Sequence, residues 1–271
     1  MKQLLSFILV LTLLFSGCAH NQSGVKKSSS LESEFGSAIN QQILQRIPVY
    51  AEPTLNEYVQ SIGYKIVKYA DRQELEYRFI ILNDDRIFSA YAPGGYVYIT
   101  TGFFRLLENE IELAGVIAYE IAAVQYQDPR LSRLKKSLEL MIRGGSYVAP
   151  AFGAIGALSV LGLAAIGAVT SNGKSLMAQV DQADRKALNY LAVSGYDPQG
   201  FIGVLYKMVD VKSVHRAYLY DYLQSHPVDS IRLKNINLEF QKLPLENREF
   251  NAGRENFLAK TELIRNSFVR K

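Results

Sequence analysis

The chain has 271 residues, 48% of them hydrophobic, and a formal net charge of +4 at neutral pH. This charge is too small for an electrostatic footprint on nucleic acid, so we expect no nucleic-acid partner and a solvated role for most lysines. Cys18 is the only cysteine, which excludes an intramolecular disulfide. The length suits a single domain with a sizeable core, which we place at residues 37–271.

The N-terminus has the pattern of a secretory signal. A lysine precedes the apolar run Leu4–Phe15 and the small residues Ser16-Gly17, and this run is too short to span a bilayer. Cys18 directly after Ser-Gly resembles a bacterial lipoprotein lipobox, which implies removal of residues 1–17 and lipidation of Cys18; an incidental free cysteine is the alternative. Ala19 is typical of lipoproteins sent to the outer membrane. We therefore expect a periplasm-facing outer-membrane lipoprotein.

The residues that follow the signal predict a tether, a helix and three strands, in that order along the chain. Residues 18–36 are polar and low in aromatic residues, which predicts a flexible tether between lipid and domain. Apolar residues at helical spacing predict an amphipathic helix over Glu57–Tyr69. Three short β-prone segments bounded by turn residues predict a small antiparallel sheet. They are Tyr77–Leu82, Phe88–Ala92 and Tyr96–Thr100.

A buried helix is predicted from about Glu110 to Gln127, because Leu113–Val124 is apolar on every side except at Glu120. A buried carboxylate is costly unless a partner pairs with it, so Glu120 is a candidate functional residue. Four further helices are predicted, which makes the chain mostly helical and α+β in class. They cover Leu176–Ser194, Pro198–Val209, Asp229–Gln241 and Glu255–Val269.

Glu120 stands in the frame Tyr119–Ala123, where zinc peptidases carry HExxH, two histidine ligands around a general base. The surrounding motifs, from about Ile39 to Leu238, resemble a zincin family. That family contains the CAAX prenyl endopeptidase and periplasmic metallopeptidases tied to outer-membrane quality control. The similar segments are Ser89–Gly102 and Glu108–Val116 before the helix, Val180–Arg185 in place of ExxAD-R, Tyr190–Pro198 around GYDP, and Ser225–Arg232 around His-Pro…Arg. The resemblance implies a zincin-like metallopeptidase fold.

The same resemblance places the three zinc ligands on Tyr119, Ala123 and Val180. Alanine and valine have no donor atom, and a tyrosine phenol with a pKa near ~10 is a poor ligand at neutral pH. The chain has three histidines in all, His20, His215 and His226. A catalytic zinc requires three protein ligands and an open position, so we predict no zinc and a degenerate member of the family.

Four residues at functional family positions are retained: Glu120, a relic of the general base, with Asp184, His226 and Arg232. We predict that they are not catalytic. Glu120 must still pair with a cation or take up a proton, so His226 or Arg232 is expected within hydrogen-bond reach of it. Tyr119 faces elsewhere on the helix and is the weaker candidate.

Three functions remain open at this point. The first is a lipid-anchored pseudo-peptidase that binds an envelope protein or an unfolded outer-membrane protein as a scaffold or chaperone-like module. In this hypothesis the peptide-binding edge strand is Tyr96, Val97, Tyr98, Ile99 and Thr100. The second is an active zinc endopeptidase with a rebuilt site of Asp184, His226 and Glu120, which would leave no glutamate as base. The third is a structural lipoprotein that acts as a spacer.

The stretch Gly144–Gly173 carries no charge, and Tyr147–Val169 is long enough to span a bilayer. A single crossing would separate Glu120 from Asp184, which the resemblance places in one site. Two crossings require about 40 residues, more than the stretch provides. We therefore expect a Gly/Ala-rich hairpin that packs on the domain or dips into the lipid surface.

Overall fold

A computed structural model describes residues 22–124, 173–214, 223, 226–246 and 248–269. The predicted signal peptide, Cys18 and residues 144–172 of the uncharged stretch lie outside the described residues. Within the part that is described, no helix is long and apolar enough to cross a membrane.

The sheet has three strands, β1 (Arg78–Leu82), β2 (Ser89–Ala92) and β3 (Tyr96–Thr100), in the order β1-β3-β2. All three predicted segments are strands, but the prediction of a purely antiparallel sheet is wrong. β2 and β3 form an antiparallel hairpin, whereas β1 pairs with β3 in parallel, so the sheet is mixed. The hairpin turns at Gly94 and Gly95, whose φ angles of 80° and 91° favour glycine. Composition marks strands but does not determine their spatial order.

β3 is the central strand, so the prediction that Tyr96–Thr100 forms a peptide-binding edge is wrong. All five of its residues are buried and both of its sides are paired. The sequence Tyr-Val-Tyr-Ile-Thr lacks the polar–apolar alternation of a half-exposed strand, which agrees with burial on both faces.

The two faces of the sheet are covered by different helices. On one face, Ile39 and Ile43 of helix α1 (Gln22–Arg46) pack with Tyr96 and Tyr98. The other face joins the main core, which contains helix α2 (Pro53–Val67). A short helix α3 (Thr101–Leu106) follows β3 directly, and Thr100 caps it through its hydroxyl.

Helix α1 corrects the predicted flexible tether. It begins at Gln22, and Glu32 is buried with both carboxylate oxygens accepting from Arg72 at 3.1 and 2.9 Å. The domain boundary at residue 37 was therefore placed too late. The polar composition of this segment is equally compatible with a helix that has a solvated face, and composition alone does not separate the two structures.

The predicted buried helix is α4 (Glu110–Ala123), with Asn109 as its N-cap. The remaining helices are α5 (Gly173–Ser194), α6 (Gln199–Val214), α7 (Ser230–Phe240) and α8 (Arg254–Val269), and each contains most of a predicted segment. α4 packs mainly against α5 and α6. At the contact between α4 and α6, a Cβ on Gly115 would lie 2.7 Å from the backbone of Phe201, so glycine permits the two helices to approach closely. The α+β class and the mostly helical fold are confirmed.

Candidate functional site

Glu120 lies in the last turn of α4 and has no exposed surface (0%). Its Oε1 accepts a hydrogen bond from the Ser89 hydroxyl at 2.6 Å and lies 3.3 Å from His226 Nε2. The expectation that His226 or Arg232 approaches Glu120 is thus confirmed for His226. The second oxygen, Oε2, is buried and has no hydrogen-bond partner among the described residues. Oε1 therefore makes both of the polar contacts that the Glu120 side chain has among the described residues.

Ser89 is the partner that sequence reasoning missed. It is the first residue of β2, is fully buried, and projects its hydroxyl onto α4. A signal was present, since Ser89 is a small polar residue at the start of a β-prone segment that resembles the family's approach to the HExxH helix. Buried hydroxyls require a hydrogen-bond partner, and Glu120 supplies the acceptor.

Asp184 and Arg232 form a second buried pair beside this site. Arg232 Nε and Nη2 donate to the two Asp184 oxygens at 2.9 and 2.7 Å, and Nη1 donates to the Pro227 carbonyl at 2.9 Å. Burial raises the pKa of the Asp184 carboxyl, and the Arg232 guanidinium opposes that rise. The pair joins α5 to the first turn of α7, where Asp229 caps the helix through the Arg232 amide.

Tyr119 connects the two pairs. Its ring centroid lies 5.4 Å from the His226 ring and 5.4 Å from the Phe201 ring, and the Arg232 guanidinium carbon lies 5.1 Å from it. An aromatic face attracts a cation placed at this distance. Tyr119 therefore contacts His226 and Arg232 from the position where the resemblance places a zinc ligand.

The three positions matched to zinc ligands do not fit a metal. Tyr119, Ala123 and Val180 are all buried within the apolar core, and two of them have no donor atom. A structural or catalytic zinc requires three or four nitrogen, sulfur or oxygen ligands from the protein. The donor set at these positions cannot provide them.

The rebuilt site of Asp184, His226 and Glu120 does not form either. Both Asp184 oxygens accept from Arg232, so this carboxylate is already bound to a cation. Across the described ranges, no three His, Cys, Asp or Glu side chains converge in a way that could hold an ion. The geometry supports a closed hydrogen-bonded cluster rather than a metal centre.

The edge of the sheet nearest to Glu120 is β2, since Ser89 of this strand contacts the carboxylate. The opposite edge is β1, where the segment before α2 already adds backbone hydrogen bonds, from Tyr50 to Ile81 and from Asn83 to Pro48. The strand order therefore places β2, rather than β3, where an added strand would lie beside the Glu120 site.

Comparison with known proteins places this fold in a family. Relatives include the beta-barrel assembly-enhancing protease of Escherichia coli (strain K12), 27% identical over 222 residues, which cover 78% of this chain and 44% of that protein. The Yersinia pestis protein of the same name is 26% identical over 221 residues, 79% of this chain and 44% of its own length. A putative beta-barrel assembly-enhancing protease of Vibrio cholerae is 29% identical over 174 residues, which cover 60% of this chain and 34% of that protein.

The chain thus spans less than half the length of these relatives. A family model described as "Peptidase family M48" matches residues 53–239, a range that contains β1 to β3, α4 and both buried pairs. The matched range is more than half of the chain. The chain therefore belongs to peptidase family M48.

Proposed function

We propose that this protein is a lipid-anchored pseudo-peptidase that binds other envelope proteins instead of cleaving them. One observation carries the proposal. The carboxylate that would act as general base, Glu120, is enclosed with Ser89 and His226, while the matched ligand positions hold Tyr119, Ala123 and Val180.

The chemistry of peptide hydrolysis explains why this arrangement matters. In a zinc peptidase the glutamate removes a proton from a water that the metal polarises, so the base alone does not activate water at neutral pH. Glu120 has no exposed surface, and its Oε1 is already occupied by the Ser89 hydroxyl. Among the described residues, the matched positions offer no ligand set for the metal, and the carboxylate is buried away from solvent.

Binding without cleavage requires a surface that recognises extended chains. An edge strand offers a row of backbone donors and acceptors to a peptide, and this mode of recognition requires no metal. Among the described strands, β2 is the outer strand of the sheet next to Glu120, so we propose it as the binding strand in place of β3. Its four residues give it enough length for one short segment of a client.

The relatives and the N-terminal sequence support a proposal for the client and the location. The relatives are named for enhancing β-barrel assembly, so we propose an unfolded outer-membrane protein, or a protein that assembles it, as the client. Lipidated Cys18 would hold the domain at the outer membrane on its periplasmic side. Scaffold, adaptor and chaperone-like roles all share this binding step.

A protease assay tests the loss of activity. The full lipidated chain in detergent is incubated with unfolded casein, with added zinc or with a chelator, beside an active zinc endopeptidase. We expect no cleavage in either condition. Cleavage that requires zinc and stops with the chelator would support the competing function, an active metalloendopeptidase with ligands from outside the matched positions.

Cross-linking in cells tests the binding step. A photoreactive residue replaces Tyr91 on β2 in one variant and Leu263, an exposed residue of α8, in a matched control. We expect cross-links to envelope proteins from position 91 only. Equal patterns from both positions would favour the structural spacer.

Fractionation tests the anchor. Cys18→Ser removes the thiol that carries the lipid, so the protein should stay uncleaved or leave the outer-membrane fraction. A Cys18→Ser protein that remains in that fraction would contradict lipidation as the anchor and direct attention to Gly144–Gly173.

A further inference from the structure

An exposed group of aromatic and basic side chains lies at the C-terminal end of α2. It consists of Tyr64, Lys65, Lys68 and Tyr69, which we call the α2 corner. Tyr64 is 49% exposed and Tyr69 is 48% exposed, and both lysines are exposed. Residues four apart are neighbours on a helix surface, so Tyr64 lies beside Lys68, the C-cap of α2. Tyr69 follows the helix, and the Lys65 ammonium lies over the Tyr196 ring, 3.9 Å from its centroid. Such a concentration of half-exposed tyrosines and lysines requires an explanation.

The carboxylates near the α2 corner pair with neighbouring cations, one of which is shared. Asp71 accepts from Lys186 at 2.6 Å and Glu76 lies 2.6 Å from Arg78, whereas Arg72 is shared by Glu74 at 2.7 Å and Glu32 at 2.9 Å. With Lys65 and Lys68, five cations stand against four carboxylates, so the corner keeps a small net positive charge beside its two half-exposed tyrosines.

The chain that leads to Cys18 leaves the domain at this same end. Arg72, three residues after Tyr69, holds Glu32 of α1 through two hydrogen bonds. From Glu32, α1 continues towards its C-terminus along the sheet, and Asn40 accepts from the Tyr98 hydroxyl at 3.1 Å. The N-terminal part of α1 therefore points away from the sheet at the α2 corner. It extends ten residues further, to Gln22, about 15 Å along a helix.

The opposite end of the sheet is formed by other elements. β3 ends at Thr100 and leads into α3, and Arg265 of α8 donates to the carbonyls of Phe104 and Leu107. Leu263 of α8 is 62% exposed and lies on the helix that packs on α3. The molecule thus has one end next to the segment that follows Cys18 and another end remote from it.

We infer that the α2 corner rests on the phospholipid surface and sets the orientation of the anchored domain. Tyrosine side chains have an apolar ring and a polar hydroxyl, which suits the boundary between headgroups and acyl chains. Lysine ammonium groups are attracted to anionic headgroups. This inference rests on the proposed lipidation of Cys18, because the anchor brings the corner to the bilayer.

Site-directed fluorescence tests the contact. Lipidated full-length chains carrying Tyr64→Cys, Tyr69→Cys or Leu263→Cys are reconstituted in vesicles of phosphatidylethanolamine and phosphatidylglycerol. Once Cys18 is lipidated, the introduced cysteine is the only free thiol, and it receives a polarity-sensitive fluorophore. Quenching by a headgroup spin label should be at least about twofold stronger at positions 64 and 69 than at 263, because interfacial side chains lie within the headgroup region.

The possible results are distinguishable. If the protein floats with the vesicles but quenching is equal at all three positions, the contact between the α2 corner and lipid is contradicted, whereas the lipid anchor is not. Wild-type protein that takes up the fluorophore at Cys18 and does not float would overturn the anchor, and the corner with it. Because these vesicles contain no other protein, stronger quenching at 64 and 69 identifies lipid as the occupant. Tyr64 and Tyr69 serve as independent variants, since Tyr64 also donates to the Tyr77 carbonyl and Tyr69 does not.

Discussion

Two buried pairs of side chains lie side by side in this protein, and they differ in how many of their polar atoms have hydrogen-bond partners. Asp184 and Arg232 meet through two short, parallel hydrogen bonds, and the third guanidinium nitrogen binds a backbone carbonyl. Glu120 and His226 meet through a single 3.3 Å contact, and Glu120 Oε2 has no hydrogen-bond partner among the described residues. Bidentate arginine–carboxylate pairs are among the strongest side-chain contacts.

The difference separates two kinds of retained residue. The Asp184–Arg232 pair is a structural lock, by which we mean that its two hydrogen bonds hold α5 against α7. This contribution to stability does not depend on enzymatic activity. Glu120 has the geometry of a side chain in a site built for other partners, with Ser89 and His226 satisfying half of its carboxylate. Family resemblance alone assigns both to one functional group, whereas their contacts assign them different roles.

The largest expected effect comes from breaking the complete pair. Arg232→Leu leaves the Asp184 carboxylate buried without its cation, which costs about 3–5 kcal/mol of unfolding free energy. Chemical denaturation measures the loss. The matched control is Arg185→Leu on the same helix as Asp184, where the arginine is 52% exposed and lies 3.8 Å from Glu239. We expect less than about 1 kcal/mol there, and equal losses in the two variants would contradict the structural lock.

A smaller effect is expected at the incomplete pair. Glu120→Gln keeps one oxygen to accept from Ser89 but removes the charge that His226 approaches, so the loss should be about 1–3 kcal/mol. Thermal melting and casein cleavage are measured together, with the exposed Glu57→Gln as control. A Glu120→Gln protein that melts like wild type and loses a measurable peptidase activity would show that Glu120 is a working base.

The smallest effect is expected from Ser89→Ala, which removes one hydrogen bond to the carboxylate and costs about 1 kcal/mol. A double-mutant cycle with Glu120→Gln gives the coupling between the two side chains. We expect a coupling of about 0.5–1 kcal/mol, since the remaining amide accepts a weaker bond than the carboxylate. Independent, additive losses would mean that the Ser89 hydroxyl binds the amide as strongly as the carboxylate, so that the carboxylate adds nothing specific to the 2.6 Å contact.

Much of this fold could be predicted from periodicity. Leu113–Val124 identified the buried helix, and the strand Tyr96–Thr100 was predicted with the bounds that the structure shows. Strand order could not be predicted in this way, because β-propensity marks a segment without saying which neighbour it pairs with. Helix α1 was missed for a related reason, since its polar residues match both a tether and a solvated helix face.

The site was predictable where a lone charge had to be explained. A carboxylate in an apolar helix is costly to bury without a partner, and this argument predicted the contact with His226. It did not point to Ser89, because the contact depends on how β2 crosses α4. It also did not separate Arg232 from the Glu120 site, since the bond between Arg232 and Asp184 depends on how α7 packs on α5.

The zinc content of the purified full chain, produced without a histidine tag, is the measurement that tests the loss of the metal site most directly. Elemental analysis after dialysis should give less than about one tenth of a zinc per chain, because the replaced ligands would supply most of the affinity. One zinc per chain that survives dialysis, with casein cleavage that a chelator blocks, would contradict the assignment of this M48 member as a pseudo-peptidase.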